Sequence, residues 1–396
     1  MEFFHKQTNF DFLRIKWWCI GISWVLILAG LVSVWHKGGY RYGIDFSGGT
    51  QLILQFQTKT DVNGIRKTLE ELGHGETVIQ KFEDEAANQF LIRIQQRKEG
   101  EDVTQIVLDG LAEKLAPGSP SKFDLNRKGK KDLSESFHAA GLQAEAAAKA
   151  PDANRFYDEL AEKVVGARTQ KGVFAGVDEA ATASGVGPET GQWLKSNTIA
   201  GPFVVLSAEN VGPQVGKDLQ KQATLAVVLS LLGMLAYIAF RFDLKFGVGA
   251  VIATIHDILI TLAFFSFFNK EITLVVIAAF LTLVGYSVND TVVVYDRIRE
   301  NLKGGRGKKI EDVINSSINQ TLSRTILTSG ATMLAVLALF FFGGDVIHDF
   351  AFTLVVGIIV GTYSSIYVAA PVVVIWNEVV AKKKAAAAGG SAMTSR

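Results

Sequence analysis

The chain has 396 residues, 48% of them hydrophobic and 20% charged, with a net charge of +1. Near-neutrality removes the electrostatic footprint of a nucleic-acid binder, and a single cysteine excludes an internal disulfide. The apolar residues are concentrated at 17–35 and again over 222–376, which excludes one soluble globule and points to a membrane protein with a large soluble part.

Residues 1–16 are polar and carry Lys6, Arg14 and Lys16. The run 17–35 is long enough to cross a bilayer and has tryptophans at both ends, where interfacial aromatics belong. A cleaved signal peptide is the rival reading. It needs a shorter apolar core and a small-residue cleavage site, whereas His36-Lys37-Gly38-Gly39-Tyr40 follows, so an uncleaved anchor is expected. Cys19 lies in this run as an inert buried thiol.

Residues 38–215 are polar on average and are expected to form the soluble domain. Residues 50–57 alternate as a strand, and 61–73 read as a helix with Ile65, Leu69 and Leu72 on one face. Strands are expected at 77–82 and 89–94, joined by an acidic turn containing asparagine. A second helix follows at 101–115, with Ile106, Leu108, Leu111 and Leu115 as its apolar positions and Pro117-Gly118 ending it. Residues 203–206 give a fourth strand. The order βαββαβ is that of a ferredoxin-like α+β domain, with its core in 44–115 and 200–211.

Residues 117–200 stand outside that plan and are expected to be a helical insertion. They begin basic (Lys122, Arg127, Lys128, Lys130, Lys131), pass through an alanine-rich helix at 139–150 and a further helix at 152–165. Gly185-Val186-Gly187-Pro188 resembles the turn of a helix-hairpin-helix, but its flanks lack a basic patch, so a packing turn is the expectation.

Beyond residue 222 the apolar spans are 223–240, 246–268, 272–295, 326–342 and 350–376, which with the anchor make six. Lysine and arginine crowd the connections 241–245 and 296–325 and the end at 382–384, while the alternate connections hold only Lys270. Positive residues stay in the cytoplasm, so both termini are expected inside and 38–215 outside. Residues 377–396 form a cytoplasmic tail, with 385–396 expected to lack structure.

No arrangement for soluble catalysis, phosphate binding or metal ligation stands out; the six histidines are scattered. The informative residues are charges inside apolar spans: His256-Asp257 in the third, Asp290 in the fourth, and Arg324 at the start of the fifth. A charge at the bilayer centre costs at least ~2.5 kcal/mol, so such groups face the bundle interior and find partners. Asp290 and Arg324 are a natural pair for a proton relay, with Ser287 and Asn289 as neighbouring hydrogen-bonding groups; a static salt bridge is the plainer reading. His256-Asp257 is either a second relay station or a helix–helix hydrogen bond. Gly357 and Gly361 form a close-packing step, and Tyr363-Ser364-Ser365 can hydrogen-bond across helices. Asp296, Arg297, Arg299 and Glu300 read as an ion-pair network at a helix end.

Several of these motifs occur together in a recognisable order. Gly43-Ile44-Asp45-Phe46-Ser47-Gly48-Gly49-Thr50 after the anchor is similar to the signature of the SecD/SecF family, as is Val211-Gly212-Pro213-Gln214-Val215-Gly216 before the second span. His256-Asp257, the run from Gly285 to Thr291 and Ser323-Arg324-Thr325 look like the SecF branch. The resemblance covers 10–116 and 200–378, and the insertion departs from it. It implies a half of RND type, in the inner membrane, that joins SecD and works with SecYEG and SecA, and with YajC and YidC, on an emerging preprotein. It implies energy from the proton gradient, no cofactor, and Asp290 with Arg324 on the proton path. A half-transporter exporting lipids or small molecules, and a passive assembly factor, are the competing functions.

Overall fold

The computed structural model describes residues 8–74, 77–82, 88–94, 103–116, 122–150, 152–304 and 309–393. The acidic turn after residue 82, Pro117-Gly118 and the start of the helix expected at 101 lie outside them.

In chain order the elements are α1 (Lys16–His36), β1 (Arg41–Tyr42), α2 (Ile44–Ser47), β2 (Gly49–Phe56), α3 (Val62–Glu71), β3 (Thr77–Phe82), β4 (Gln89–Ile94) and α4 (Val103–Leu115). Next come β5 (Phe123–Asp124), α5 (Lys130–Ala139), α6 (Ala144–Lys149), α7 (Ala153–Lys171), α8 (Val177–Ser184), α9 (Pro188–Asn197), β6 (Thr198–Ile199) and β7 (Phe203–Val211). The remainder is α10 (Pro213–Arg241), α11 (Leu244–Phe267), β8 (Glu271–Ile272), α12 (Leu274–Gly304), α13 (Ile310–Phe342), α14 (Gly344–Ser364), a π-helical turn at Ser365–Ala369, and α15 (Ala370–Met393). The chain divides into two compact units, Met1–Asp45 with Asp218–Arg396, and Phe46–Lys217.

The second unit is built on a four-stranded sheet of order β3-β4-β2-β7, antiparallel throughout. Alternation in β2 sends Leu52, Leu54 and Phe56 to one face, where they meet Ile65 and Leu69 of α3 and Val107 and Leu111 of α4. The buried stripe of α4 is Val103, Val107, Leu108 and Leu111. Ile106 and Leu115, expected in that stripe, are exposed: the 3.6-residue repeat anchored on Val107 and Leu111 turns Ile106 to solvent, and Leu115 is the last residue of the helix. Gly48 and Gly49 enter β2 with φ of 72° and 127°, left-handed backbone that glycine adopts without strain. A side chain on Gly48 would stand 2.9 Å from the Pro213 Cα. Pro213 opens α10, a position where proline's missing N–H costs nothing.

The insertion has its own core of Leu125, Leu133, Phe137, Leu160, Val164, Phe174 and Leu194, among others. Its two ends meet as a parallel pair, Phe123 opposite Thr198 and Asp124 opposite Ile199. The alanine-rich stretch expected as one helix at 139–150 is two pieces: α5 ends at Ala139, and left-handed Gly141 and Gln143 turn the chain into α6. The basic start holds β5 and a turn, and its last two lysines, Lys130 and Lys131, open α5. The helix expected at 152–165 runs on to Lys171.

Among the described residues six helices are long and apolar enough to span a membrane: Leu13–His36, Pro213–Arg241, Leu244–Phe267, Leu274–Gly304, Ile310–Phe342 and Ile347–Val380. The connection expected at 296–325 is largely helix, since α12 runs to Gly304 and α13 starts at Ile310. Val313, Ile314, Ser317, Ile318 and Thr321 repeat at helical spacing and are buried. The tail expected to lack structure continues α15 to Met393, in keeping with alanine's helix propensity.

The neck of the insertion hangs on Asn126. Its Nδ2 donates to the carbonyls of Phe174 (3.0 Å) and Gly201 (2.7 Å), and its Oδ1 accepts from the Phe174 N–H at 3.0 Å. Asp124 accepts from the N–H groups of Asn126 and Gly201, both at 2.9 Å. Asn126→Ala strands three buried backbone groups and should cost about 3 kcal/mol. We expect limited proteolysis to open residues 122–200 early while the four-stranded core persists; unchanged protease resistance of the insertion would refute this role.

Candidate functional site: a polar band among the membrane helices

The polar side chains of the membrane unit converge on two carboxylates. Asp257, on α11, has no exposed surface. Its Oδ2 accepts from Ser287 Oγ of α12 at 2.6 Å and Ser364 Oγ of α14 at 2.9 Å, while Oδ1 lies 2.9 Å from His256 Nδ1. Three helices therefore supply one carboxylate, as an apolar surrounding demands. The approach of α14 depends on its glycine step. A side chain on Gly357 would strike Leu283 of α12 at 2.5 Å, and one on Gly361 would press on Ser287 at 3.4 Å and on Asp257 Oδ2 at 3.6 Å.

His256 links the band to α1. Its ring stacks on Tyr363 with centroids 6.2 Å apart, and the Tyr363 hydroxyl donates to the Cys19 carbonyl at 2.6 Å and meets Ser23 Oγ at 3.2 Å. Cys19 is half-buried. His256 Nε2 is buried without a hydrogen-bonding partner, as are Tyr286 Oη and Thr325 Oγ1.

Asp290, on α12, is 3% exposed and accepts from Ser329 Oγ of α13 at 3.2 Å. Ser329 in turn meets Thr362 Oγ1 of α14 at 2.8 Å. A hydroxyl has one proton to give, so the chain runs from Thr362 to Ser329 to Asp290 when the carboxylate is ionised.

The pairing expected from sequence differs here. No ion pair or hydrogen bond joins Asp290 to Arg324 among the described residues. The buried stripe of α13 passes through Ser317, Thr321, Thr325 and Ser329, and Arg324 sits about 100° round from Thr325, exposed. Ser287 serves Asp257 rather than Asp290. Asn289 is exposed, one residue round the helix from Asp290, and lies off the band.

Ser329 and Thr362 were not singled out from sequence. The available signal was the run of small hydroxyl residues at four-residue spacing on α13. The charged run after the fourth span resolves into hydrogen bonds as well as ion pairs. Arg297 meets Glu300 at 2.5 Å and Gln320 at 2.6 Å, and Asn301 donates to Gln320 and Ser317, both at 2.9 Å. Where α14 ends, the π turn begins, and Tyr295 of α12 donates its hydroxyl to the Ala369 carbonyl at 3.0 Å. Such turns carry an extra residue and recur at functional sites.

The sequence from 193 to 379 matches the family model described as protein export membrane protein SecD/SecF, C-terminal, and 41–60 matches the SecD/SecF GG motif. The protein translocase subunit SecF of Koribacter versatilis is 41% identical over 390 residues, covering 96% of this chain and 94% of that one. The SecF of Calditerrivibrio nitroreducens is 36% identical, covering 94% of this chain and 96% of its own. Among solved structures, the chain resembles SecDF of Thermus thermophilus, described as a translocon-associated membrane protein, with TM-score 0.63 and 31% identity over 94% of this chain. It spans only 39% of that longer chain. The chain belongs to the SecF family of protein translocase subunits.

Proposed function

We propose that this chain is the SecF half of a SecDF complex that uses the proton motive force to help draw preproteins across the inner membrane after the SecA and SecYEG step. The observation that carries the reading is a pair of carboxylates buried among membrane helices, each reached by hydroxyls from other helices. Burying such groups is costly, so their presence among membrane helices points to a task, and proton transfer is the simplest one. Longer solved relatives named SecDF support SecD as the second half. SecYEG and SecA follow as partners from the family, with YajC and YidC beside them. Export of lipids or small molecules by an RND-type half is not favoured by relatives that share nearly the whole chain. The chain acts as a transport subunit without cofactor or nucleotide chemistry of its own.

The two carboxylates divide the work. Asp257 accepts from hydroxyls of α12 and α14, lies beside His256, and acts as the anchor that joins α11, α12 and α14. Asp290 has one donor, itself shared with Thr362, and is the exchanging group. When Asp290 gains a proton, the carboxyl becomes a donor and Ser329 can turn to accept from it. That reversal passes to Thr362 and so to α14. Arg324 tunes the ionised state from a distance. The external unit is ferredoxin-like, a reading supported by its connectivity and by the strand order β3-β4-β2-β7. It faces away from the cytoplasm, and both termini lie inside.

Three measurements test this. Asp290→Asn keeps the size and removes the titration. It should leave insertion and SecD association intact while the protonophore-sensitive part of export is lost; a normal gradient dependence would sink the reading. Asp257→Asn replaces an acceptor by an amide donor facing hydroxyls and imidazole, and should lower bundle stability by ~1–3 kcal/mol, seen as a lower Tm of the purified complex. An unchanged Tm would deny Asp257 its anchoring part. In a Cys19→Ser background, cysteines placed at Ser136 and at Lys303 should label with an impermeant reagent from opposite sides; labelling of both from one side would overturn the orientation.

A further inference from the structure

Asp45 belongs to the glycine motif, yet its carboxylate is spent on a membrane helix. Its Oδ2 accepts from the Leu274 N–H, the first helical residue of α12, at 2.8 Å. The local cap of that helix is Thr273, whose Oγ1 accepts from the Val276 N–H at 3.3 Å. Asp45 thus supplies a second cap from a segment more than 200 residues away in sequence. Two further contacts hold that segment in place. Arg41 and Tyr42 pair in parallel with Glu271 and Ile272, and the Gly43 N–H donates to the Ile272 carbonyl at 2.9 Å. A side chain on Gly43 would stand 2.7 Å from Thr273 Cγ2, so the strap lies flat on the cap.

The strap is also the way out of the membrane unit. Asp45 is its last residue before Phe46 opens the external unit, and three residues later the chain enters β2. Inside that unit the incoming and outgoing segments are packed on one another. A side chain on Gly216 would stand 2.9 Å from the Phe46 carbonyl oxygen, and one on Gly48 would stand 2.9 Å from the Pro213 Cα. The incoming segment from the strap and the outgoing start of α10 are therefore held side by side. The strap ends on the helix that carries Asp290, sixteen residues or about 24 Å along its axis.

We propose that Asp45 is a positioning residue, whose cap on α12 ties the helix of the exchanging carboxylate to the strand leading into the external unit. This rests on the reading of Asp290 as the proton-exchanging group. The cap needs an acceptor oxygen and the right side-chain length, and does not need a charge. Asparagine is as good a cap as aspartate, whereas alanine supplies no oxygen. That distinguishes a cap from a proton carrier, which asparagine would disable.

The experiment uses the full chain co-expressed with its SecD. Export of a signal-bearing preprotein is measured with and without a protonophore, for the parent, Asp45→Ala, Asp45→Asn and Asp290→Asn. The protonophore-sensitive increment should fall about fivefold in Asp45→Ala and be rescued in Asp45→Asn. Amide hydrogen exchange on the purified complex should show faster exchange over residues 274–277 in Asp45→Ala alone of the two Asp45 variants. Loss of the increment in both would make Asp45 a charge-bearing group and overturn the cap. A full increment in Asp45→Ala, with Asp290→Asn defective, would overturn the coupling role and leave the proposed function standing. A full increment in Asp290→Asn would bring down that function and this inference with it. Unchanged exchange at 274–277 in Asp45→Ala would refute the cap even if that variant accumulates poorly.

Discussion

A carboxylate set between apolar helices has no water to lean on, so its donors have to come from neighbouring helices, and those helices have to come close enough to deliver them. Asp257 imposes this constraint on the membrane unit. Two serine hydroxyls meet at one oxygen, within 2.6 and 2.9 Å, and they come from α12 and α14. A serine side chain is too short to make that contact unless the backbones are nearly touching. The glycine step of α14, with Gly357 against Leu283 and Gly361 against Ser287 and Asp257, is a consequence of that requirement. In lipid there is little hydrophobic drive to bring helices together, so close packing and the shared carboxylate carry the association.

The broad plan was legible in the sequence because its signals are long or periodic. Six apolar runs, four alternating strands and the Gly-Pro entry to α10 all announce themselves over many residues. The errors fell where the signal was short or ambiguous. Alanine is silent about which side it faces, so residues 139–150 gave no hint of the turn at Gly141 and Gln143 that splits α5 from α6. In α4 the apolar positions cover more than one face, and Ile106 lost to Val103 and Val107 on geometry while Leu115 sits at the helix end.

The candidate site was half legible for a related reason. A charge in an apolar run is conspicuous, so Asp257 and Asp290 stand out. Their partners do not, because serine and threonine are common in membrane helices and satisfy themselves on their own backbone, as Thr321 and Thr291 do. Opposite charge is also a poor guide to pairing across helices. Arg324 and Asp290 lie in adjoining spans, but the direction of a helical side chain is set by its place on the 3.6-residue wheel, and Arg324 is on the wrong part of it. Likewise Asp45 reads in sequence as part of a turn motif. Only the parallel pairing of Arg41 and Tyr42 with Glu271 and Ile272 brings it to the N-terminus of α12.

The placement of α14 then carries a consequence for both carboxylates. It offers Thr362 to the Asp290 side through Ser329, and Ser364 to Asp257 directly. Two residues apart on a helix is about 200° of rotation, so the two hydroxyls leave opposite faces and α14 stands between the two acidic groups. A sideways shift of α14 toward one acidic group shortens that contact and lengthens the other. Asp257 is bound by hydroxyls from two helices besides its own, whereas Asp290 meets one hydroxyl among the described residues. Directly beyond Ser364 the helix passes into the π turn, where the extra residue loosens the usual backbone ladder, and Tyr295 of α12 holds the Ala369 carbonyl. The helix that carries Asp290 is thus linked to α14 just before the irregular turn, where Ser287 and Ser364 share Asp257 of α11, and to the last residue of that turn through Tyr295. A proton added at Asp290 changes the hydroxyl chain at the least firmly held point of an assembly whose other contacts are fixed.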